Sequence, residues 1–191
     1  MGTLSYGMIS SLDGFVAGPD GDFDWAEPDA ETHRFVNERE QNVGTYLYGR
    51  RMYETMRAWA EDDWLADQPD YVRDYARIWR NADKVVFSTT LSAPSTDRTR
   101  VESRLDLDAV RALKAAGDSD LSVSGPTVAA DLLRAGLVDE LAIYVAPAVV
   151  GGGTRLLPVG LRLELSLLEE HRFASGIVFL RYRVRTHGST D

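Results

Sequence analysis

The sequence has 191 residues, of which 44% are hydrophobic and none is cysteine, and its formal net charge at pH 7 is −9. This length and apolar content are typical of a globular protein, and we predict one domain that spans residues 1–191. The negative charge disfavours a nucleic-acid partner, and the lack of cysteine excludes disulfides and thiol catalysis. The sequence contains no run of about 18 apolar residues that would predict a membrane span, and we expect a cytoplasmic protein.

Strand-like and helix-like segments alternate through the first half of the chain. Apolar periodicity and turn residues predict, in this order, a strand at 3–9, a loop to Pro28, a helix at 29–41 with Asp29 as its cap, a strand at 45–48, a helix that begins after Gly49, a helix at 71–81, and strands at 83–88 and 99–102. The first loop is long and rich in glycine, proline and aspartate, and a loop of that length is expected to serve function.

The second half continues this alternation and then departs from it. The elements predicted there are a helix at 106–116, a strand at 121–124, a helix at 127–135 that follows Pro126, and a strand at 141–146. Apolar residues then alternate with polar ones on either side of a turn at 174–176, which predicts an antiparallel hairpin. The order of elements predicts an α/β fold with a mainly parallel sheet and a C-terminal antiparallel hairpin at one edge.

Two strand–glycine–helix junctions, at Gly49 and Gly125, are the clearest indications of a binding site. The start of a helix offers unpaired backbone N–H groups and the positive end of the helix dipole, so residues 124–128 are a candidate anion site. At the other junction, Arg50 and Arg51 are positioned to clamp a phosphate, although a solvated surface pair is the better explanation of these arginines when they are considered alone.

Asp13 and the triplet Gly151–Gly153 have more than one interpretation. Asp13 is a proton donor, a carboxylate that grips an amino-substituted ring, or the first residue of a turn before Gly14, and its spacing leaves all three open. The triplet does not match a dinucleotide fingerprint, because Pro158 and a strand-like run follow it, so a flexible turn is favoured. The histidines are scattered, and no metal site is predicted.

Four segments, at 11–17, 49–54, 85–91 and 124–157, resemble the dihydrofolate-reductase-like superfamily. Within it, the chain is similar to the C-terminal reductase domain of bacterial bifunctional deaminase-reductases of riboflavin biosynthesis, and the likeness spans nearly the whole chain. The resemblance implies a three-layer fold with helices on both faces of the sheet. It also implies an NADPH-dependent oxidoreductase that forms homodimers, and the exposed sheet edge at the tail hairpin favours the same assembly.

The resemblance assigns residues to three parts of a site. Asp13 is implied as the catalytic residue that orients or protonates the substrate, and Phe15, Trp25 and Tyr48 are implied to border the substrate. The implied cofactor-binding residues are Gly49, Arg50 and Arg51 at a phosphate, Ser88 and Thr89 at the adenosine ribose, Gly125, Pro126, Thr127 and Val128 at the pyrophosphate, and Ala17 and Gly152 near the nicotinamide.

Three residues depart from the family pattern. Met52 stands where dihydrofolate reductases usually have threonine, and Pro126 replaces the second glycine of a Gly-Gly pair and has no N–H to donate. Thr89 stands where an arginine often reads the 2′-phosphate of the cofactor. NADH is therefore not excluded beside NADPH.

The predicted function is that of an NAD(P)H-dependent reductase of a small heterocyclic or carbonyl/imine substrate, with 5-amino-6-(5-phosphoribosylamino)uracil as the named example. The alternative is a non-catalytic nucleotide or small-ligand binding protein that keeps the fold, an alternative that the three departures make conceivable. Only the reductase requires a reduced nicotinamide held against a second pocket.

Overall fold

A computed structural model describes residues 1–117 and 119–185, which form an α/β fold. The strands are β1 (Leu4–Ser11), β2 (Phe15–Ala17), β3 (Val43–Gly49), β4 (Asp83–Phe87), β5 (Thr99–Glu102), β6 (Asp120–Ser124), β7 (Glu140–Ala146), β8 (Thr154–Arg155), β9 (Glu164–Arg172) and β10 (Val178–Arg185). The helices are α1 (Ala30–Glu40), α2 (Arg50–Met56), α3 (Asp62–Ala66), α4 (Asp70–Asn81), α5 (Leu107–Ala116) and α6 (Pro126–Arg134), with 3-10 turns at Asp24–Ala26 and Arg57–Ala60. No helix in the described ranges is long and apolar enough to span a bilayer.

The central sheet has eight strands in the order β5-β4-β3-β6-β1-β7-β10-β9, and β2 pairs with β8 in a separate small sheet. Neighbouring strands from β5 to β7 are parallel, whereas β10 is antiparallel to both β7 and β9. Helix α6 connects β6 to β7 across β1, as predicted for a crossover between parallel strands. The predicted fold class, a mainly parallel sheet with an antiparallel hairpin at one edge, is confirmed.

Helices cover both faces of this sheet, and the residues of β3 show which helix lies on which side. Leu47 belongs to a buried cluster with Val128 of α6, whereas Tyr46 and Tyr48 belong to another cluster with Trp79 of α4. Because consecutive residues of a strand point to opposite faces, α6 and α4 lie on opposite sides of the sheet. The implied three-layer arrangement is therefore confirmed.

Helix α1 packs a partly polar face against the rest of the protein, which apolar periodicity does not reveal. Asp29 caps this helix as predicted, since its carboxylate accepts a hydrogen bond of 2.9 Å from the Thr32 N–H. The buried residues of the helix are Thr32, His33 and Asn37. The Asn37 amide donates a 2.8 Å hydrogen bond to the backbone oxygen of Tyr71, so polar contacts hold α1 against α4.

Glu40, the last residue of α1, buries its carboxyl group near four tyrosines. Its Oε2 atom is buried and has no hydrogen-bond partner within the described residues. The four tyrosines whose ionisation is affected by the charge of Glu40 are Tyr46, Tyr48, Tyr75 and Tyr144. Burial raises the pKa of Glu40 to about 7, and the adjacent Tyr46 hydroxyl opposes this rise only in part.

We predict that Glu40 makes the protein less stable as the pH rises. The folded state keeps the Glu40 proton up to about pH 7, whereas the unfolded chain releases it near the ordinary pKa of 4.5, so the free energy of unfolding falls between these values. The loss is about 3 kcal/mol, since one pKa unit corresponds to about 1.4 kcal/mol. Glu40→Gln removes this titration and should raise the unfolding temperature above pH 7, but not below pH 4.5.

Glu38→Gln is the matched control, because Glu38 is exposed on the same helix. Thermal unfolding followed by circular dichroism across this pH range measures both variants. If wild type and Glu40→Gln lose stability equally as the pH rises, Glu40 does not carry the effect.

Candidate functional site

The carboxyl ends of β3 and β6 form a topological switch point. These strands are neighbours in the sheet, yet the chain leads from β3 to β4 on one side and from β6 to β7 on the other. The connections therefore diverge and leave a crevice at the carboxyl edge, which is where open α/β sheets bind their ligands. Both strand–glycine–helix junctions identified in the sequence lie at this crevice.

The two junctions are in direct proximity. Tyr48 of β3 is in register with Ser124 of β6, and the next residue of each strand segment is the junction glycine, Gly49 or Gly125. A Cβ atom built on Gly49 would lie 3.4 Å from Cγ2 of Val128. The segment that follows β4, where the resemblance places Ser88 and Thr89 and which we call the β4 junction, is adjacent as well, because Gly49 is also in register with Phe87, the last residue of β4. The structure thus brings together residues 49–51, 88–89 and 125–128.

Arg50 links the β3 junction to the β4 junction. Its Nη1 atom donates a 2.7 Å hydrogen bond to the Thr90 hydroxyl, and its Nε atom donates a 2.7 Å hydrogen bond to Glu54. The Ser88 hydroxyl accepts hydrogen bonds from the backbone N–H groups of Thr90 and Leu91, at 3.1 and 3.0 Å. Sequence reasoning missed Thr90, although the serine two residues earlier is a signal for this kind of turn.

Arg51 and Thr89 directly follow Arg50 and Ser88 at the same two strand ends. Both side chains are exposed at the carboxyl edge of the sheet. They are accessible to a ligand in the crevice, and their roles in cofactor binding stay predictions.

The start of α6 is partly occupied by methionine side chains. The Gly125 N–H donates to Sδ of Met8 at 3.4 Å, and a Cβ atom on Gly125 would lie 3.2 Å from Cβ of Met52. Pro126 has no N–H, so the amides of Thr127 and Val128 are the first-turn groups that remain for an anion. The sequence analysis identified Met52 as a departure from the family pattern. The contact of Met8 with Gly125 was not predicted, because Met8 lies on β1, far from Gly125 in sequence.

Asp13 binds backbone amides of the loop 147–153, which we call the glycine loop. Its two oxygens accept hydrogen bonds from the N–H groups of Val150 and Gly151, at 3.1 and 2.8 Å. Hydrogen bonds from the Ser11 hydroxyl, then from the Gly151 and Val150 amides, lower the pKa of the Asp13 carboxyl to about 2. The lowered pKa and these hydrogen bonds favour the orienting role of Asp13 over proton donation, and its catalytic assignment stays a prediction.

The predicted pair near the nicotinamide, Ala17 and Gly152, also lies at this loop. Ala17 of β2 is paired with Thr154 of β8, and a Cβ atom on Gly153 would lie only 2.1 Å from the Ala17 oxygen. Gly152 faces the ring of Pro19, which would be 3.6 Å from its Cβ atom. The glycine loop thus packs closely on the segment that follows β1, and Gly153 has no space for a side chain.

The three residues predicted to border the substrate have different positions. Phe15 is buried, with the Arg155 guanidinium 5.1 Å from the centre of its ring. Trp25 lies in a 3-10 turn, and its Nε1 atom is buried without a hydrogen-bond partner within the described residues. Both remain candidates for substrate contact.

Tyr48 requires a correction, because it lies in the core. Its side chain is 0% exposed, and its hydroxyl accepts a 3.1 Å hydrogen bond from Nε1 of Trp79. Its ring stacks on Tyr46 at a centroid distance of 5.6 Å. The alternation of β3 turns Tyr48 towards α4, so a substrate at the carboxyl edge has no access to it.

One cavity of the described structure lies at the opposite edge of the sheet. It has a volume of about 640 Å³ and is lined by polar residues from the ends of α1 and α4, among them Asn37, Gln41, Arg77 and Asn81. No helix starts there and β3 begins at its wall, so it lacks the amides and glycine junctions of the carboxyl edge. We therefore assign the candidate site to the crevice and not to this cavity.

The chain matches one protein family over most of its length. A family model described as the RibD C-terminal domain matches residues 3–179. Among curated proteins, the uncharacterized protein YyaP of Bacillus subtilis (strain 168) is 28% identical over 179 residues, which cover 92% of this chain and 91% of that protein.

Solved structures share the fold at low sequence identity. A putative riboflavin biosynthesis protein from Shewanella sp. PV-4 has a TM-score of 0.74 and 19% identity, with 96% of this chain and 99% of that chain covered. A diaminohydroxyphosphoribosylaminopyrimidine deaminase/5-amino-6-(5-phosphoribosylamino)uracil reductase from Thermotoga maritima has a TM-score of 0.66 and 15% identity. The match covers 96% of this chain and 57% of that chain. A dihydrofolate reductase from Enterococcus faecalis, complexed with NADP(H), has a TM-score of 0.63 and 14% identity. The match covers 96% of this chain and 97% of that chain. These likenesses confirm the dihydrofolate-reductase-like fold.

The two junction glycines should respond differently to alanine. Gly125 has φ of 96° and faces Met52, so Gly125→Ala is strained and should lower the free energy of unfolding by about 1 kcal/mol or more. Gly49 has φ of −81° and only an ordinary contact with Val128, so Gly49→Ala should change it by less than about 0.5 kcal/mol. Urea denaturation measures both changes, and equal losses would contradict this geometry.

Proposed function

We propose that this chain, which belongs to the RibD C-terminal domain family, is an NAD(P)H-dependent reductase of a small heterocyclic or carbonyl/imine substrate. Its structural relatives include, by name, a uracil reductase and a dihydrofolate reductase in complex with NADP(H). The observation that carries the proposal is the convergence of three strand ends at one crevice, with Arg50 bridging two of them through Thr90.

The residues of the crevice fit the phosphate-bearing part of a nicotinamide nucleotide. Gly49 leaves a space beside Val128 that a side chain would fill, which permits close approach of a ligand to the backbone. The amides of Thr127 and Val128 at the start of α6 would hold the pyrophosphate, and Arg50 and Arg51 would hold the phosphate on the adenosine ribose. In a chain with net charge −9, this local arrangement is needed to attract an anionic cofactor.

The protein's part in the reaction is to position the two reactants and exclude water. When bound, the cofactor supplies a hydride to the carbon of a C=N or C=O bond, whose heteroatom takes up a proton. Ala17 and Gly152 would lie against the nicotinamide, because the small loop formed by β2 and β8 brings them together at the carboxyl edge. Phe15 and the unpaired Nε1 of Trp25 would contact the substrate.

The name of the Thermotoga relative favours an aminouracil ring as the substrate, and 5-amino-6-(5-phosphoribosylamino)uracil is the named candidate. This chain covers 57% of that bifunctional protein, and a reductase of another small heterocycle or carbonyl compound is the alternative. A non-catalytic binding protein is favoured by one observation, which is that Met8 and Met52 lie against Gly125 where a pyrophosphate would need space.

NADPH should bind at micromolar concentration and change the emission of the tryptophans. Arg50→Ala should weaken NADPH about tenfold and NADH much less, because a charge-assisted contact to the 2′-phosphate exists only with NADPH. Arg57→Ala is the matched control, since Arg57 is exposed at the opposite end of α2.

Two results would change this assignment. If neither nucleotide binds up to about 1 mM, a binding free energy beyond about −4 kcal/mol is excluded and the reductase proposal fails. If NADPH binds but no carbonyl, imine or heterocyclic compound supports its oxidation, the binding-protein alternative is favoured.

We also propose that the protein is a homodimer formed through the outer face of the tail hairpin. Leu165 and Leu167 of the edge strand β9 are 39% and 52% exposed and are in register with Val184 and Tyr182 of β10. These side chains share one face of the sheet. Tyr182 and Val184 are partly buried there against the cluster that includes α6, and the exposed leucines beside them are what a second copy would cover.

Light scattering at micromolar concentration should give twice the mass of one chain. Leu167→Glu should reduce it to that of one chain, because a charge in an apolar interface is costly. Val159→Glu should have no effect, since Val159 is 80% exposed and lies outside the strand. A monomeric wild type would end this proposal.

A further inference from the structure

Arg50, the residue proposed to hold the phosphate on the adenosine ribose, is already engaged on two sides. Its Nε atom donates a 2.7 Å hydrogen bond to the carboxylate of Glu54, one turn further along α2, and the two side chains form an ion pair. Its Nη1 atom donates to the Thr90 hydroxyl at 2.7 Å. Two of the five N–H donors of the guanidinium are therefore occupied within the protein.

The position of Glu54 limits how Arg50 can bind a phosphate. An arginine binds a phosphate most firmly through two parallel N–H groups, which come either from Nε and one Nη atom or from both Nη atoms. While Glu54 accepts from Nε, the first of these two edges is not available for a bidentate contact. The charge of Glu54 also offsets the charge of Arg50, because one carboxylate faces one guanidinium.

The repulsion that Glu54 exerts on a phosphate outweighs its effect in orienting Arg50. The side chains of Arg50 and Glu54 are 46% and 38% exposed, and an exposed ion pair between residues i and i+4 contributes little to order or stability. NADPH differs from NADH by a phosphate monoester, which carries roughly two negative charges near neutral pH. A phosphate bound to Arg50 lies close to the Glu54 carboxylate and is repelled by it, whereas the 2′-hydroxyl of NADH is not.

The other groups near Arg50 do not restore a preference for the phosphate. The segment 88–91 contributes three hydroxyl side chains and no cation, and these are Ser88, Thr89 and Thr90. A hydroxyl group donates to a ribose hydroxyl as readily as to a phosphate oxygen. Arg51 is exposed and forms no ion pair within the described residues, so it is the arginine at the start of α2 whose charge is not offset.

We propose that Glu54 sets the cofactor specificity of this crevice, because its contact with Arg50 removes most of the selection for the 2′-phosphate and lets NADH bind about as well as NADPH. Glu54 acts through Arg50, so it determines specificity and is not a catalytic residue. The inference rests on the proposed function, since it concerns the nicotinamide nucleotide of the same crevice. Arg50→Ala still weakens NADPH more than NADH, because it leaves the Glu54 charge without a partner beside the phosphate.

The dissociation constants of NADPH and NADH, measured by tryptophan fluorescence on the full chain, test this inference. In the wild type the two constants should lie within about tenfold of each other. Glu54→Gln should tighten the binding of NADPH about three- to tenfold and change that of NADH by less than about twofold, because the neutral amide removes a repulsion that only the 2′-phosphate feels. The gain should shrink as salt is added, since the Debye length falls to about 10 Å at 0.1 M.

Two further variants separate this role from a structural one. Asp131→Asn removes the same charge and another exposed ion pair, with Arg134 at the end of α6, and should leave the ratio of the two constants unchanged. Glu54→Asp keeps the negative charge and should give a ratio near that of the wild type. If Glu54 only stabilised α2, Glu54→Gln would weaken both nucleotides equally.

A second measurement needs no nucleotide. The Nε–H signal of Arg50 is followed by NMR on labelled protein in the wild type, Glu54→Gln and Asp131→Asn. In Glu54→Gln this proton should exchange with water several-fold faster, because an amide oxygen is a weaker acceptor than a carboxylate. In Asp131→Asn its exchange should match that of the wild type.

The outcomes keep this inference distinct from the proposed function. A wild type that binds NADPH more than about tenfold tighter than NADH, or an unchanged ratio in Glu54→Gln, would overturn the inference and leave the reductase intact. Equal exchange of the Arg50 Nε–H in the wild type and Glu54→Gln would overturn it without any nucleotide. If neither nucleotide binds the wild type up to about 1 mM, the proposed function fails and the inference fails with it.

Discussion

The close approach of β3 to β6 at their carboxyl ends is the constraint on which the rest of the site depends. Two helices begin at neighbouring strand ends, and each junction has a glycine where the other junction comes nearest. A side chain at Gly49 would meet Val128, and a side chain at Gly125 would meet Met52. Gly125 is the more constrained of the two, because its φ of 96° and its contact with Met52 strain any side chain, whereas the contact of a Gly49 Cβ atom with Val128 is ordinary.

On the β1 side of the crevice, a second contact joins two loops and adds a negative charge. Asp13 ties the loop after β1 to the loop after β7, and the paired strands β2 and β8 extend this connection. Since the carboxylate is held ionised, it contributes as a fixed negative charge and an anchor. The positive side of the crevice, at Arg50, lies across the sheet from it.

The fold was largely predictable because its signals are local. The cap Asp29, the glycines that follow α5 and α6, and the alternation in the tail are signals from neighbouring residues, and the predicted elements agree with the observed ones within a few residues. Elements as short as β2 and α3 were missed, since three to five residues show no periodicity. The polar buried face of α1 was missed as well, because Asn37 is satisfied by a partner on α4 that is distant in sequence.

The site was predictable in location but not in detail. The motifs identified which strand ends meet, whereas the contacts of individual side chains depend on residues far apart in the chain. Asp13 binds amides more than 130 residues away, and Met8 binds the Gly125 amide from another strand. Tyr48 was assigned to the substrate from the family resemblance, although its position on β3 turns it into the core.

One measurement tests the central claim most directly, and it is the change in backbone amide chemical shifts when NADPH is added to the labelled protein. The account predicts that the shifted amides cluster at residues 49–51, 88–90 and 125–128, with smaller changes in the glycine loop. Shifts concentrated instead around Asn37, Gln41 and Arg77, at the large cavity on the opposite edge, would contradict it, as would the absence of any shift.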